Sequence, residues 1–468
     1  MTVRLHNTMT RTVEEFQPIG GIVKLFVCGP TVYDFSHLGH AKTYVQFDVL
    51  ARMLRAHNYE VTYLQNITNI DDKILVRAAE RDMDWMGLAD QFYDEYLTDM
   101  TVLNNTSVDR YAKATDYIDD IVRQVTVLFD KGHAYEIPGD GIYFEIATFP
   151  EYGKLSGRHD VEQNDAQSRI DDSPDKRGWN DFCLWKFSRA GEPSWDAPFG
   201  SGRPGWHIED TAITEHHFGP QYDIHGGAID LIFPHHEAEL TQMESASGKV
   251  PFVKHWVHSG FLTVDGEKMS KSLGNFSTIR EILDNGTDPM AIRLYMLQSH
   301  YRSPVNFTLE NLGAAKNRLD NWRSLAVLRH QLHDTIRADS HGYLDDSEAS
   351  FAAAHQTLLG ALADDLNTPE ALKLIDETFS GIVLTDPRQL HQPSFVTYLE
   401  LIDDVLGLQL LKSTPDIDDE SKQLLIERNR ARDEQQWDRS DELRKDLEAR
   451  NIAVRDSIHG TIWSYITS

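Results

Sequence analysis

Apolar and polar positions divide the chain into distinct segments. Residues 22–28 (Ile-Val-Lys-Leu-Phe-Val-Cys) are almost continuously apolar and predict a buried strand, which Gly29-Pro30 breaks. From about His40 to His57, the residues Val45, Val49, Met53 and Leu54 recur at helical spacing, and Asn58 is a suitable stop. Residues 60–67 then alternate like a second strand. The three form a βαβ unit whose glycine-containing connection lies at the strand's C-terminal end, where open α/β sheets bind ligands. Residues 71–130 look mainly helical and 135–200 mixed. Residues 159–177 are polar and charged, which predicts an exposed connection. Residues 220–285 return to strand and turn material, with Asp265-Gly266 as a tight-turn signal just before Lys268. A mobile loop there would suit a group that closes on a ligand. Beyond about residue 310 the pattern is helical, over 312–332, 351–366, 370–379 and 395–406. There is no convincing internal repeat.

Composition sets limits on this picture. The 468 residues suggest about three domains at ~150 residues each, enough to bury a sizeable core. The first residues carry no apolar stretch of a signal peptide, and no apolar run approaches the ~18 residues of a membrane span, so no membrane association is expected. Two cysteines, Cys28 and Cys183, make no disulfide framework and point to a reducing cytoplasm. The formal charge is -29, but residues 421–468 hold nine Lys/Arg and nine Asp/Glu. The acidic excess therefore lies wholly in the rest of the chain. A neutral, arginine-rich tail suits RNA, and it equally suits a helical surface laced with i,i+4 ion pairs.

Two strings change the reading from fold to chemistry: His37-Leu38-Gly39-His40 and, about 230 residues later, Lys268-Met269-Ser270-Lys271-Ser272. Each sets cationic or proton-donating side chains beside backbone that can approach phosphate. His37 and His40 fall at the start of the predicted helix, where free N–H groups and the helix dipole favour anions. The first string alone is weak; the second is specific, and their order strengthens both. They have the form of the two signatures of class I aminoacyl-tRNA synthetases, which the chain resembles. The resemblance implies an α/β, Rossmann-like catalytic domain with a parallel sheet over residues 1–310, interrupted by an insertion at about 115–205. An all-α helical bundle (311–410) and a small anticodon-binding domain (411–468) would follow. ATP, with Mg²⁺, would be bound by Pro30, Thr31, His37, Gly39, His40, Lys268, Met269, Ser270, Lys271 and Ser272. Among these, His37, His40, Lys268 and Lys271 would be catalytic. The histidines would contact the phosphates, and the lysines would neutralise them while an amino-acid carboxylate attacks the α-phosphorus.

A second constellation bears on the substrate. Cys28 ends the first strand, and Phe233-Pro234-His235-His236-Glu237-Ala238-Glu239 spaces His235 and Glu239 four apart, so that a helix would put both on one face. Cysteine, histidine and glutamate are all zinc ligands. Residues 28–40, Gly205-Trp206-His207-Ile208-Glu209, Asp223-Ile224-His225-Gly226-Gly227 and the segment around His235 closely resemble cysteinyl-tRNA synthetases, over essentially the whole chain. That resemblance implies a zinc ion held by two cysteines, a histidine and a glutamate, which takes the substrate thiolate as a further ligand. A thiolate suits zinc and a serine hydroxyl does not, so serine is rejected without editing. Cys28, His235 and Glu239 match ligand positions. The remaining cysteine falls at position 210, where this chain has Asp210. Cys183 matches no ligand position and is expected in the core. Three readings of Asp210 are open. Zinc is held by Cys28, Asp210, His235 and Glu239; the site is weak or prefers another metal; or the pocket has changed and activates another amino acid.

The same resemblance puts Gly29, Thr68, Trp206, His225 and Asp230 in the amino-acid pocket. It puts Arg432, Trp437, Asp441 and Asp456 at the anticodon, Trp437 by stacking and the others by hydrogen bonds to base edges. The partners implied are ATP, L-cysteine and tRNA(Cys), with the chain acting as a monomer. Two rivals stand beside this reading: a cysteine ligase that acts on a small amine, against which residues 411–468 argue, and a catalytically silent RNA-binding paralogue, against which both signatures argue.

Overall fold

Strand β1 (Ile22–Val27) buries Val23, Leu25, Phe26 and Val27 completely. A parallel strand covered on both faces by helices must be apolar on both, and its sequence is. Helix α1 (Leu38–Ala56) and strand β2 (Glu60–Ile67) follow, so the βαβ unit stands where the sequence puts it. Asn58 takes a positive φ of 63° in the connection, which suits it as a helix stop. The computed structural model describes residues 2–158, 173–268, 278–331, 345–384, 390–457 and 460–466.

Helices occupy much of the next segment, at Asp72–Glu80, Trp85–Val102 and Ile118–Asp130, but a short strand, β3 (Arg110–Lys113), interrupts them. Four residues reading Arg-Tyr-Ala-Lys carry no period that would reveal it. After helix α2 (Trp206–Phe218) come strand β4 (Tyr222–Ala228), helix α3 (Glu237–Ser247) and strand β5 (Val253–Ser259). The five strands form one parallel sheet in the order β5-β4-β1-β2-β3. The chain thus runs from β1 through β2 to β3, then crosses back to β4 and β5 on the other side. The reversal lies between the C-terminal ends of β1 and β4, where such a sheet leaves a crevice. This is a Rossmann-like α/β core.

Helix α3 departs from the strand-and-turn reading of residues 220–285. From Glu237 to Met243 no residue is more than 1% exposed. A helix buried all round has no amphipathic stripe to betray it. Asp265-Gly266 does form the tight turn, with φ of 50° and 84° between Leu262–Val264 and Glu267–Lys268. Between β3 and α2 lies a four-stranded antiparallel sheet of Ala134–Ile137, Gly141–Phe144, Phe182–Phe187 and Gly202–Pro204. Cys183 is buried in it, as expected of a core residue. Most of the predicted exposed connection, 159–172, lies outside the described residues.

The chain divides into two compact units, residues 1–286 with 301–306 and residues 287–300 with 307–468. The first holds both sheets described above. The second is mainly helical: Leu309–Ala326, Asp345–Ala363, Thr368–Leu384 and Gln392–Leu406 accord with the helical pattern beyond residue 310, and Pro289–Leu297 is a further helix that the pattern does not predict. It ends in helices α4 (Asp419–Asp433) and α5 (Trp437–Glu448) and an antiparallel pair, β6 (Ile452–Ser457) and β7 (Gly460–Tyr465). No helix among the described residues is long and apolar enough to cross a membrane.

Candidate functional site

A cavity of about 380 Å³ opens at the reversal point of the parallel sheet. Cys28, Gly29, Pro30 and Thr31 line it just after β1, and Ala228, Asp230 and Leu231 just after β4. His37, Gly39 and His40 line it from the start of α1, Trp206 from the start of α2, and Gly260, Phe261 and Leu262 after β5. Gly29 allows no side chain: a Cβ there would stand 1.8 Å from the Asn66 carbonyl oxygen. Lys73 and Tyr33 also line the cavity, and the sequence reading missed both. Lys73 is the second residue of its helix, where the pattern marks only a start.

The two signature histidines cap their own helix. His37 is the N-cap residue of α1, and its Nδ1 accepts from the amides of Gly39 (3.0 Å) and His40 (3.3 Å). In return the His37 amide donates to His40 Nδ1 at 3.4 Å, and the rings stack with centroids 3.8 Å apart. Burial, together with the neighbouring His37 ring, holds His40 well below the usual imidazole range. His40 is therefore a neutral hydrogen-bonding group at pH 7 and not a cation. Of the second signature, Lys268 ends the short hairpin, its backbone opposite Thr263. Met269, Ser270, Lys271 and Ser272 lie outside the described residues.

Behind Trp206, whose ring stacks on His235 at 4.0 Å, lies a buried cluster of donors. His235 Nε2 is 2.9 Å from Glu239 Oε1, 3.2 Å from Asp210 Oδ2 and 3.5 Å from Cys28 Sγ. Ligands of a tetrahedral zinc ion, at ~2.0–2.3 Å from it, stand ~3.3–3.8 Å apart. Asp210, His235 and Glu239 bring ligand atoms within 4.8 Å of one another, close enough to share a small divalent cation, and Cys28 does the same with His235 and His236. Their electrostatics agree. Burial, with Asp210 and Glu239 adding to it, pushes the Cys28 thiol up. Burial likewise pushes Glu239 up to about 8 against the pull of His235. Burial opposes protonation of His235, yet Glu239 and Asp210 outweigh it and push the ring up to about 10. Neither Glu239 oxygen accepts a well-formed hydrogen bond among the described residues. Two buried carboxylates and a thiol favour positive charge at their centre, and the donor chemistry fits a divalent ion.

An outer ring of side chains supports this cluster. His207 Nδ1 meets His235 Nδ1 at 2.7 Å, and Tyr222 Oη meets His225 Nδ1 at 2.7 Å. His225 Nε2 faces Glu239 Oε2 at 3.4 Å, and His236 Nδ1 meets His258 Nε2 at 2.8 Å. His225 is fully buried and sits behind Glu239, not on the cavity wall. Thr68 is also off the wall; its hydroxyl donates to Glu209 at 3.0 Å. Of the residues expected in the amino-acid pocket, Gly29, Trp206 and Asp230 line the cavity. The sequence reading passed over His207, His236 and His258. The density of histidines between positions 207 and 258 is the signal that could have found them.

In the second unit, Trp437 stands 55% exposed at the start of α5, with the Arg432 guanidinium 5.6 Å from its ring centroid. Asp441 is exposed one helical turn on. Asp456, by contrast, is engaged: Arg428 donates to both its oxygens at 2.8 Å, Thr461 donates at 2.9 Å, and Arg432 lies at 3.1 Å. Arg428, 1% exposed, thus ties α4 to the β6–β7 pair.

Residues 15–317 match the family model of the class I tRNA synthetase (C) catalytic domain, and residues 414–463 match that of the cysteinyl-tRNA ligase anticodon binding domain. The chain is 40% identical over 482 residues to a cysteine–tRNA ligase of Thermococcus onnurineus, covering all of both chains. It is 41% identical over 485 residues to one of Heliobacterium modesticaldum, covering 99% of each. Among solved structures, a Mycobacterium tuberculosis methionyl-tRNA synthetase in complex with methionyl-adenylate shares the fold, with a TM-score of 0.64 and 16% identity over 84% of this chain and 93% of that one. The sheet, the signature histidines and these matches over the full length agree: the chain belongs to the cysteinyl-tRNA ligase family of class I aminoacyl-tRNA synthetases.

Proposed function

We propose that the protein ligates L-cysteine to tRNA(Cys) in two steps, through a cysteinyl-adenylate formed from ATP in the cavity at the sheet reversal. The observation that carries this reading is the buried set of Cys28, Asp210, His235 and Glu239 directly behind a cavity walled by His37, Gly39 and His40. A nucleotide beside the α1 N-terminus and a thiol pointing at the buried set would bring carboxylate and α-phosphorus together. His37 and His40 hydrogen-bond the phosphates there; Pro30 and Thr31 wall the nucleotide; Lys268 and Lys271 neutralise the phosphates, Met269, Ser270 and Ser272 belong to the same ATP-binding string, and Mg²⁺ comes with the ATP. Gly29, Trp206 and Asp230 border the amino acid, with Thr68 and His225 supporting the wall from behind.

Cys28, Asp210, His235 and Glu239 hold the zinc ion of the family. When bound, zinc supplies a soft Lewis acid that prefers a thiolate to a hydroxyl. Asp210 brings the same charge as a thiolate, so the local charge balance is kept. Arg432, Trp437, Asp441 and Asp456 belong to the anticodon surface, and Asp456 also fixes the arginines around it. In this reading residues 1–310 are catalytic, with the insertion at about 115–205; 311–410 form the helical bundle and 411–468 the anticodon domain. The match of 414–463 to an anticodon binding domain favours tRNA over a small amine as acceptor. The enzyme acts in the cytoplasm as a monomer.

The test is cysteine-dependent ATP–pyrophosphate exchange with the zinc-loaded protein, followed by charging of tRNA. Exchange with cysteine and at least about 10⁴-fold less with serine is expected, the order of discrimination a site built around one substrate group reaches. Absence of exchange would sink the reading. Exchange without charging would move the acceptor to a small amine, and exchange with another amino acid would move the specificity to the pocket altered by Asp210.

A further inference from the structure

The Asp210 carboxylate is gripped on one side. Asn66, 1% exposed on β2, accepts the Gly29 amide at Oδ1 (2.5 Å). A backbone N–H can only donate, so this bond fixes which way the Asn66 amide faces. Its Nδ2 is then the group turned to Asp210, and it donates to Asp210 Oδ1 at 2.5 Å. The other carboxylate oxygen, Oδ2, is the one that faces His235 Nε2 at 3.2 Å.

We propose that Asn66 is a positioning residue that makes Asp210 a one-oxygen metal donor. The proposal rests on the metal reading given above and adds to it a reason why a carboxylate serves at this position. An unrestrained aspartate offers two oxygens; both could turn to the ion and fill the position a substrate thiol needs. With Oδ1 engaged by Asn66, the carboxylate presents one atom and one negative charge, as a cysteine thiolate does. Outer partners of this kind orient ligands and tune metal affinity. A cysteine at position 210 would have a single donor atom and a weaker hydrogen-bond acceptor, so it would gain little from Asn66. The Gly29 bond orients the Asn66 amide whichever residue stands at position 210.

The prediction is therefore a coupling between positions 66 and 210. Native protein, Asn66→Ala, Asp210→Cys and the double variant are each loaded with Zn²⁺, and its release to a chromophoric chelator is titrated. Co²⁺-loaded samples report coordination number by visible absorption. Asn66→Ala should weaken zinc about 10- to 100-fold when Asp210 is kept, the usual effect of losing an outer partner. In the Asp210→Cys background the same substitution should weaken zinc less than about 3-fold, because a cysteine there gains little from Asn66; loss of the Gly29 bond is common to both arms and cancels in the ratio of the two effects. The Co²⁺ bands should lose intensity, towards higher coordination, only in the Asn66→Ala single variant, where Asp210 is still present. Equal losses in the two backgrounds, or no loss in the first, would overturn the proposal and leave the metal reading intact. A native chain that takes up no stoichiometric Zn²⁺ would overturn both.

Discussion

At the scale of single residues, Asp456, proposed for the anticodon surface, has a structural duty of its own. Hydrogen bonds from Arg428, against the opposing effect of burial, hold its carboxyl down to about 2. An unfolded aspartate titrates near ~3.9, so the folded form binds its proton more weakly. The stabilisation is then fully present above about pH 4 and is lost as pH falls through about 2. Removing the charge leaves Arg428 buried and unpaired. Loss of one partner of a fully buried pair costs about 3–5 kcal/mol; with Asp456 26% exposed, about 2 kcal/mol is expected. Asp456→Asn should therefore speed hydrogen exchange of the β6 and β7 amides roughly 30-fold at neutral pH, and the difference from native should close by about pH 2. Unchanged exchange would show that the Arg428 pair contributes nothing to that end of the chain.

Much of the candidate site was legible at this scale because its chemistry sits in short strings. Cys28, His37, His40, His235 and Glu239 declare themselves by residue type and spacing. Asn66, His207 and Tyr222 do not. Asn66 meets Asp210 and His207 meets His235, each distant in the chain, while Tyr222 meets His225 nearby, and no local period links position 66 to position 210. Thr68 and His225, which the family resemblance puts in the amino-acid pocket, are absent from the cavity lining, because successive residues of a strand face opposite sides of the sheet.

At the scale of elements, α1 carries the most information. Its pattern predicts the helix, its N-terminus is the proposed phosphate site, and the structure adds that His37 is the cap. The two roles can be separated. Asparagine is among the best N-cap residues, and alanine is poor, costing about 1 kcal/mol. His37→Asn should keep thermal stability close to native, while His37→Ala should lower it; both should reduce pyrophosphate exchange about 10²–10³-fold, the usual loss on removing one donor to a developing charge. If His37→Asn retains full exchange, the histidine is a cap and nothing more. The contrast with α3 explains which elements the sequence could not reveal. α1 follows a strand and a glycine break, and it has a recurrent apolar set. α3 is buried on every side because donors and core share it, so its polar residues looked like turn material. β3 is too short and polar to be seen, and the antiparallel sheet between β3 and α2 has strands too brief for any fixed period.

At the scale of the whole molecule, the charge of -29 must be reconciled with a polyanionic partner. Six of the nine basic residues in 421–468 already face carboxylates: Lys422, Arg428, Arg432, Arg439, Arg444 and Arg450. Few are left to neutralise phosphates. The slope of log affinity for tRNA against log salt should accordingly be no steeper than about -4, at ~0.7–0.9 per phosphate neutralised. A slope near -8 would mean that a basic surface outside this stretch carries the complex. Charge, length and helix content were all readable in advance. The sheet order was not, because strand neighbours are chosen by tertiary packing and not by sequence period.

The order β5-β4-β1-β2-β3 has a consequence for how the chain is made. β1, β2 and β3 can pair as soon as the first part of the chain leaves the ribosome, but the other edge of β1 must wait for Tyr222–Ala228. About 200 residues separate them, so at ~5–20 residues per second the central strand stands with one side open for about 10–40 s. Cys28 follows that strand directly. During this interval its thiol has none of its later neighbours from positions 210, 235 and 239, and the nascent protein exposes a sticky edge and a reactive sulphur together. Birth, more than mature life, is when this protein is open to misassembly and oxidation.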